Sequence, residues 1–230
     1  MIYKEALENN IFNHIGNCAD ELGLECYVIG GFVRDYIIKK TTPKDIDIVV
    51  VGNGIDFANS VSKKLKNTPK VTIFKTYGTA MFKYNDMEIE FVGARKESYN
   101  LESRNPKVSI GTLEDDQNRR DFTINSMAFS LNKSNYGALV DPFNGLSDIQ
   151  SKIIKTPLDP EITYNDDPLR MLRAIRFATN LDFKINKDSL KSITSLSSRI
   201  EIITKERIVV ELNKIMLNNK PSTGFILLEK

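Results

Sequence analysis

The chain has no tryptophan, one histidine and two cysteines in 230 residues. A single histidine, His14, excludes histidine-rich metal chemistry and any pair of catalytic histidines. It lies in an amphipathic opening segment and reads as a helix-surface residue. Cys18 and Cys26 stand eight apart without metal-ligand companions, and are expected to be reduced, mostly buried thiols. No run approaches the ~18 apolar residues of a membrane span. The opening MIYKEALENN has early acids and no apolar h-region, so no export signal is visible and a cytoplasmic location is expected, with no membrane partner. An excess of charge of one sign is also lacking: the net charge is +2, so a polyanionic partner must be met by local clusters rather than by a global field.

What is present is 41% hydrophobic and 27% charged residues, enough for a real core in one large domain or two modest ones. Apolar spacing predicts a helix over 4–23, a strand Cys26–Ile29 ending in Gly30-Gly31, and a helix Phe32–Ile38. Strand Ile46–Val51 closes on Gly52-Asn53-Gly54. A helix Asp56–Leu65 and strand Val71–Phe74 follow, then strands Tyr77–Tyr84 and Met87–Val92 around Asn85-Asp86, a hairpin signal. Residues 95–118 are polar and aperiodic, the pattern of a functional or mobile loop. Phe122–Leu131 and Leu139–Pro142 rejoin the sheet. Past Pro157 and Pro160 the character is helical, over Asp167–Asn180, Lys187–Ser192 and Thr204–Leu217. The expectation is an α/β head with a small mixed sheet at 1–155 and an all-helical module at 156–230, without the repeating βαβ units of a doubly wound fold.

In TPKDIDIVVVG, Asp45 and Asp47 are two residues apart on a predicted strand, so both carboxylates share a face. Like charges held that close repel unless a cation sits between them. A divalent ion, or a pair clamping a phosphate reaction, meets that requirement, although an exposed Asp at a strand start is also common. A third acid is expected from Met87–Val92, where Glu88 and Glu90 share a face; Glu90 is favoured, and the spacing does not separate the two. Gly30 and Gly31 precede a helix whose first turns carry Arg34. Glycines admit a phosphate close to the backbone, the helix start offers free N–H groups, and Arg34 adds a fork of donors. A plain tight turn is the bland alternative.

Arg119-Arg120-Asp121 runs into Phe122-Thr123-Ile124-Asn125. Asp121 and Asn125 are polar groups flanked by apolar neighbours, suited to hydrogen bonds with a ribose and phosphates. In DDPLRMLRAIRFA, Asp166 or Asp167 caps a helix with Pro168 in its first turn. Arg170, Arg173 and Arg176 recur every three residues as a basic ridge, expected to bind a triphosphate or an RNA backbone. Asp167 and Arg170, at i and i+3, share a face. Together they offer acceptors and donors that match the mixed edge of cytosine or adenine better than guanine or uracil.

GGFVRD, KDIDIVV, RRDFTINSMA, DPFNG and DDPLRMLRAIRFA occur in this order over most of residues 27–177. The set resembles the class II family of tRNA nucleotidyltransferases (CCA-adding enzymes) and bacterial poly(A) polymerases. TKERIVVELNKIM, at 204–216, is similar to a further helical motif of that family, with Glu206, Arg207, Glu211 and Lys214 at its polar positions. The resemblance implies a palm-like nucleotidyltransferase head and a helical neck, followed in the family by body and tail domains that hold tRNA. Since this chain stops at Lys230, a truncated form is expected. It implies CMP and AMP addition from CTP and ATP to the tRNA 3′ end, or poly(A), CC-adding or A-adding activity as the alternatives. Asp45 and Asp47 would hold Mg²⁺ and activate the primer 3′-hydroxyl, while Gly30, Gly31 and Arg34 would line the triphosphate site. Arg120, Asp121 and Asn125 would contact the nucleotide's sugar and its surroundings. Asp167 and Arg170 would read the base, Arg173 and Arg176 would face phosphates, and loop 95–118 would be the element that helps switch addition from C to A. Two departures are mild: Asp166-Asp167 stands where the family has Glu-Asp, and Ser126 where alanine is common.

Overall fold

The computed structural model describes residues 1–100 and 103–229, with the backbone alone for 97–100 and 103–108. The opening helical segment is broken: a 3₁₀ turn over Lys4–Leu7 precedes α1 (Asn10–Leu22), because the Asn9 side chain accepts from the Ile11 N–H and restarts the helix as its cap. Gly23 closes α1 in the left-handed conformation. Then come β1 (Cys26–Ile29), α2 (Gly31–Lys39), β2 (Asp45–Val50), α3 (Gly54–Lys64), β3 (Thr72–Phe74), β4 (Thr79–Tyr84) and β5 (Met87–Gly93). All seven agree with the sequence pattern to within a few residues, and Asn85 turns the β4–β5 hairpin at φ 55°.

The segment 95–118 differs from expectation. Its described parts form β6 (Arg95–Asn100), β7 (Ser103–Ile110), which pairs with β6, and α4 (Leu113–Asn118). Residues 101–102, on which part of the loop expectation falls, lie outside the described residues. A ladder between two polar strands needs no apolar alternation, so periodicity could not reveal it. Downstream are β8 (Ala128–Ser130), β9 (Leu139–Val140), α5 (Gly145–Ser151), β10 (Ile153–Ile154), α6 (Pro160–Asp166) and α7 (Leu169–Leu181). The last elements are β11 (Lys184–Ile185), α8 (Lys187–Ser195), α9 (Lys205–Met216) and α10 (Pro221–Leu228).

The chain forms two compact units. The first comprises Met1–Glu97, Val108–Asn118 and Asn125–Pro142; the second comprises Ser98–Lys107, Arg119–Ile124 and Phe143–Lys230. The first is built on a mixed seven-stranded sheet ordered β3-β4-β5-β2-β1-β8-β9, in which β2 and β5 run parallel and the other pairs antiparallel. Ile46 and Ile48 of β2, Ile89 and Phe91 of β5, and Phe82 of β4 point to one face, and all are buried. There Phe57 of α3 meets Phe91 edge-on and Phe82 tilts against it, ring centroids 5.9 and 5.1 Å apart. Burying each of these rings contributes roughly 1.5–3 kcal/mol. The opposite face is apolar over only part of its area, where Tyr27, Ile29, Val49, Ala94, Leu113 and Ala128 cluster. The second unit is largely helical. Leu169 and Leu172 of α7 pack with Ile203 and with Ile200, Ile208 and Leu228, and Phe122 meets Phe177 edge-on at 5.7 Å.

Candidate active site

On β2 the exposure alternates at the start of the strand, with Asp45 and Asp47 exposed and Ile46 and Ile48 buried. Both acids therefore stand on the less covered sheet face, at the rim of the Ile29–Val49 cluster. The parallel register sets Asp45 beside Glu88 and Asp47 beside Glu90, so four carboxylates occupy adjacent positions on one face. Glu88 is already engaged, its Oε1 accepting from Lys83 Nζ at 2.7 Å. Glu88 thus stands beside Asp45 with a lysine partner, and Glu90 stands beside Asp47.

The antiparallel neighbour completes the arrangement. Ile29 of β1 pairs with Asp47, so Gly30 and Gly31 leave the strand beside the two aspartates. Gly30 has φ 78° and ψ −128°, a conformation that an L side chain resists, and its N–H donates to the Met127 carbonyl. Gly31 begins α2. A Cβ placed there would meet only Arg34 Nη2, at 3.7 Å, so its bareness is not demanded by the fold. The backbone is thus open to a close-approaching group just where α2 presents its first N–H groups. Arg34, on the first turns of α2, is mostly buried. Its Nε donates to Asp35 at 2.8 Å and its Nη1 to Asn125 Oδ1 at 2.7 Å.

Among the described residues no three His, Cys, Asp or Glu side chains converge closely enough to hold a metal alone. The donors fit Mg²⁺ nonetheless. They are hard carboxylate oxygens, and Mg²⁺ is usually bound by one or two carboxylates plus substrate phosphates rather than by an all-protein cage. Asp45 and Asp47, exposed on one face beside a glycine turn, meet that description.

The second unit holds the remaining sequence-predicted residues in two linked groups. Asp121 is buried; its Oδ1 accepts from the Phe122 N–H, and its Oδ2 from Arg173 Nε and Nη2 at 2.8 and 2.5 Å. The charge of Asp121 holds the Arg173 guanidinium above its usual range. Arg120 is half-buried. Asp121 and Asn125, neighbours in one motif, therefore divide: the first holds Arg173 and the second holds Arg34. Arg176 is buried, its Nε donating to Glu211 of α9, while its guanidinium lies over the Phe177 ring 4.0 Å from the centroid. Burial pulls the Arg176 guanidinium below its usual range.

The arginines do not form one outward ridge. Each three-residue step falls about 60° short of a full turn, so over two steps the row rotates by roughly 120° and carries Arg176 inward. Asp167 accepts the Leu169 N–H at Oδ1 and Arg207 Nη2 at Oδ2, 3.2 and 3.0 Å. Arg170 donates to the carbonyls of Thr163 and Arg119, at 3.4 and 2.7 Å. A guanidinium carries five N–H groups, and these bonds engage two of them. Arg207 and Glu211 were visible in sequence only as polar positions of the 204–216 motif. Their opposite charges one turn apart, at i and i+4, were the available signal.

The family described as "Poly A polymerase head domain" matches residues 26–155, and the one described as "Probable RNA and SrmB- binding site of polymerase A" matches residues 182–230. An A-adding tRNA nucleotidyltransferase of Aquifex aeolicus is 41% identical over 168 residues, 73% of this chain and 20% of the relative. A CCA-adding enzyme of Pediococcus pentosaceus is 34% identical over 209 residues, 89% of this chain and 50% of the relative. This chain thus spans between a fifth and a half of the length of these curated relatives. Among solved structures, a tRNA nucleotidyltransferase complexed with a primer tRNA and an incoming ATP analog superposes with a TM-score of 0.82 at 32% identity, covering 94% of this chain and 59% of that one. A CCA-adding enzyme with ATP gives 0.81 at 32% identity, covering 97% and 51%.

Proposed function

The chain belongs to the family described as the Poly A polymerase head domain, and from that premise we propose that it transfers CMP and AMP from CTP and ATP to the 3′ end of tRNA, releasing pyrophosphate. The observation that carries this reading is the placement of Asp45 and Asp47 on one exposed sheet face, directly beside the Gly30–Gly31 turn. Relatives solved with ATP and with CTP support the choice of nucleotides. The 3′-hydroxyl oxygen attacks the α-phosphorus in line. A new P–O bond forms, the bond to the β-phosphate breaks, and the hydroxyl proton leaves as pyrophosphate departs.

Mg²⁺ held by Asp45 and Asp47, when bound, supplies charge stabilisation to the attacking and leaving oxygens. Glu90, beside Asp47, is assigned as the third carboxylate. Gly30 and Gly31 admit the triphosphate to the backbone, Arg34 donates to it, and Asn125 fixes the angle of Arg34. In the helical module, Asp167 and Arg170 read the base edge, held in place by Arg207 and by the Thr163 and Arg119 carbonyls. Asp121 and Arg120 serve the sugar, with Arg173 orienting Asp121. Arg176 does its work through Glu211 rather than on a phosphate. The head is taken as residues 1–155 and the neck as 156–230. A cytoplasmic location is part of this reading, with tRNA and nucleoside triphosphates as the reaction partners, and among the described residues no helix is long and apolar enough to cross a membrane.

The 41% identity to an A-adding enzyme favours one second reading, addition of the terminal A alone. Both are tested by supplying tRNA that ends before its CCA, or after CC, with each labelled triphosphate and Mg²⁺. CMP and AMP additions of defined length support the first reading, and AMP addition only to the CC-ending tRNA supports the second. No extension of either tRNA contradicts both.

A further inference from the structure

Residues 57–85 contain six lysines and no acid. This stretch ends α3 and supplies β3, the β3–β4 turn and β4, the outer edge of the catalytic sheet. Within it, Thr72–Gly78 is exposed without interruption, including Ile73, Phe74 and Tyr77 at 41, 39 and 71% of their surface. Large apolar side chains left together on a sheet edge are unusual where nothing binds, and bulk solvation explains lysines but not aromatics.

The register ties this edge to the acids. Asp47, Glu90, Met81 and Thr72 form one row across four strands, and Asp45, Glu88 and Lys83 form the next. Phe74 pairs with Thr79, which pairs with Val92, so Phe74 belongs to the same face. At about 4.8 Å per strand, the row runs roughly 14 Å from Asp47 to Thr72. Lys70 and Lys75 flank the strand and are exposed, and Lys83 stands on the face itself, paired with Glu88. Beside Tyr77 a recess of 290 Å³ is lined by Gly78, Val92, Arg95 and Ile110 among others.

We propose that the β3–β4 edge, through Phe74, Tyr77, Lys70 and Lys75, binds the single-stranded RNA leading into the reacting 3′ end, a contact surface separate from the nucleotide site. The proposal rests on the functional reading above, which makes an RNA 3′ end the acceptor. Aromatic faces stack on unpaired bases whatever their identity, and lysines interleaved with them neutralise the backbone, the combination that single-strand binders use. A double helix offers no exposed base faces and does not fit this surface.

The test measures binding of a fluorescein-labelled single-stranded RNA 12-mer ending in CC, by anisotropy in EDTA over a salt series. Two variants are compared with the unsubstituted chain, Lys70→Gln/Lys75→Gln and Phe74→Ala/Tyr77→Ala, each checked by thermal melting. The lysine pair, which is exposed and safe for folding, should flatten the log–log salt slope by about 1.4. The aromatic pair should weaken binding roughly fivefold or more per ring. Unchanged affinity and slope in the lysine variant, or no measurable binding by the unsubstituted chain, overturns the proposal. Equal losses for a duplex DNA of the same length assign the surface to any polyanion and also overturn it. Transfer activity is measured separately: if the unsubstituted chain extends no tRNA, the functional reading fails. If it extends tRNA while both variants bind RNA normally, only this surface fails.

Discussion

Replacing Glu211 by alanine should unfold the second unit more readily than any surface change of the same size. Glu211 is buried, at 4% exposure, and its carboxylate accepts from Arg176 Nε, with Arg173 Nη1 and Lys214 Nζ at 3.9 and 3.8 Å. Arg176 is itself buried, so the substitution leaves a guanidinium without its counter-charge. Breaking a buried pair from one side costs about 3–5 kcal/mol, because the abandoned charge keeps its desolvation penalty. At about 4–8 °C per kcal/mol for a unit of roughly 100 residues, its melting temperature should fall by roughly 12–40 °C. Removing both charges is a different perturbation. Arg176→Met with Glu211→Leu keeps the volume and leaves no orphan, so it should sit within about 1–2 kcal/mol of the original. Circular dichroism melts and urea titrations of Arg176→Met, Glu211→Leu and the double close the cycle, with Glu211→Ala measured beside them. A Glu211→Ala loss below about 1 kcal/mol, or a double variant as unstable as the single, would refute the account of this pair.

Three further outcomes follow from the geometry. Asn125→Ala frees Arg34 from a 2.7 Å bond, and should raise the KM for CTP and ATP about tenfold with little change in kcat, while Asn125→Asp restores most of it; equal KM values in steady-state assays reject Asn125 as a positioning residue. Gly30→Ala imposes about 1–3 kcal/mol of backbone strain at φ 78°, whereas Gly31→Ala has room and should leave the melting temperature alone while weakening triphosphate binding by calorimetry. Unimpaired binding in Gly31→Ala removes the close-approach argument. Burial pushes the Tyr164 phenol up to about 12, its hydroxyl sharing a hydrogen bond with Ser189. A raised pKa means the folded state keeps its proton longer than the unfolded one. Stability from this group is therefore whole below pH 10 and lost as pH rises toward 12, on the order of 2–3 kcal/mol. Urea titrations at pH 9 and 11 should show that loss shrinking in Tyr164→Phe, and an identical loss in both proteins contradicts the assignment.

The half of the sheet that carries Asp45 and Asp47 was legible because its strands are short apolar runs punctuated by glycine, and because i and i+2 acids can share a face only on a strand. Register was not legible. No sequence pattern says that Asp47 faces Glu90 across a parallel pair while Lys83 occupies Glu88, since that depends on which strands become neighbours. The β6–β7 pair escaped notice because its residues are mostly polar, and backbone pairing between such strands leaves no apolar alternation in the sequence. The arginine row misled for a geometric reason: spacing of three keeps neighbours close but rotates the row, so Arg170 and Arg176 face different surroundings. Asn125 and Asp121 look alike in sequence, and their separate partners, Arg34 and Arg173, come from segments 91 and 52 residues away.

The account turns on Asp45 and Asp47, and Asp45→Asn/Asp47→Asn tests it most directly. The amides keep the shape of both side chains and remove both charges. Single-turnover assays should follow extension of a labelled tRNA with CTP and ATP in Mg²⁺, beside melting curves and binding of the same tRNA. The account predicts an intact fold, retained tRNA binding and a loss of at least 10³-fold in transfer rate, the scale of losing a principal electrostatic contribution. Transfer at near the original rate by the folded double amide would contradict it.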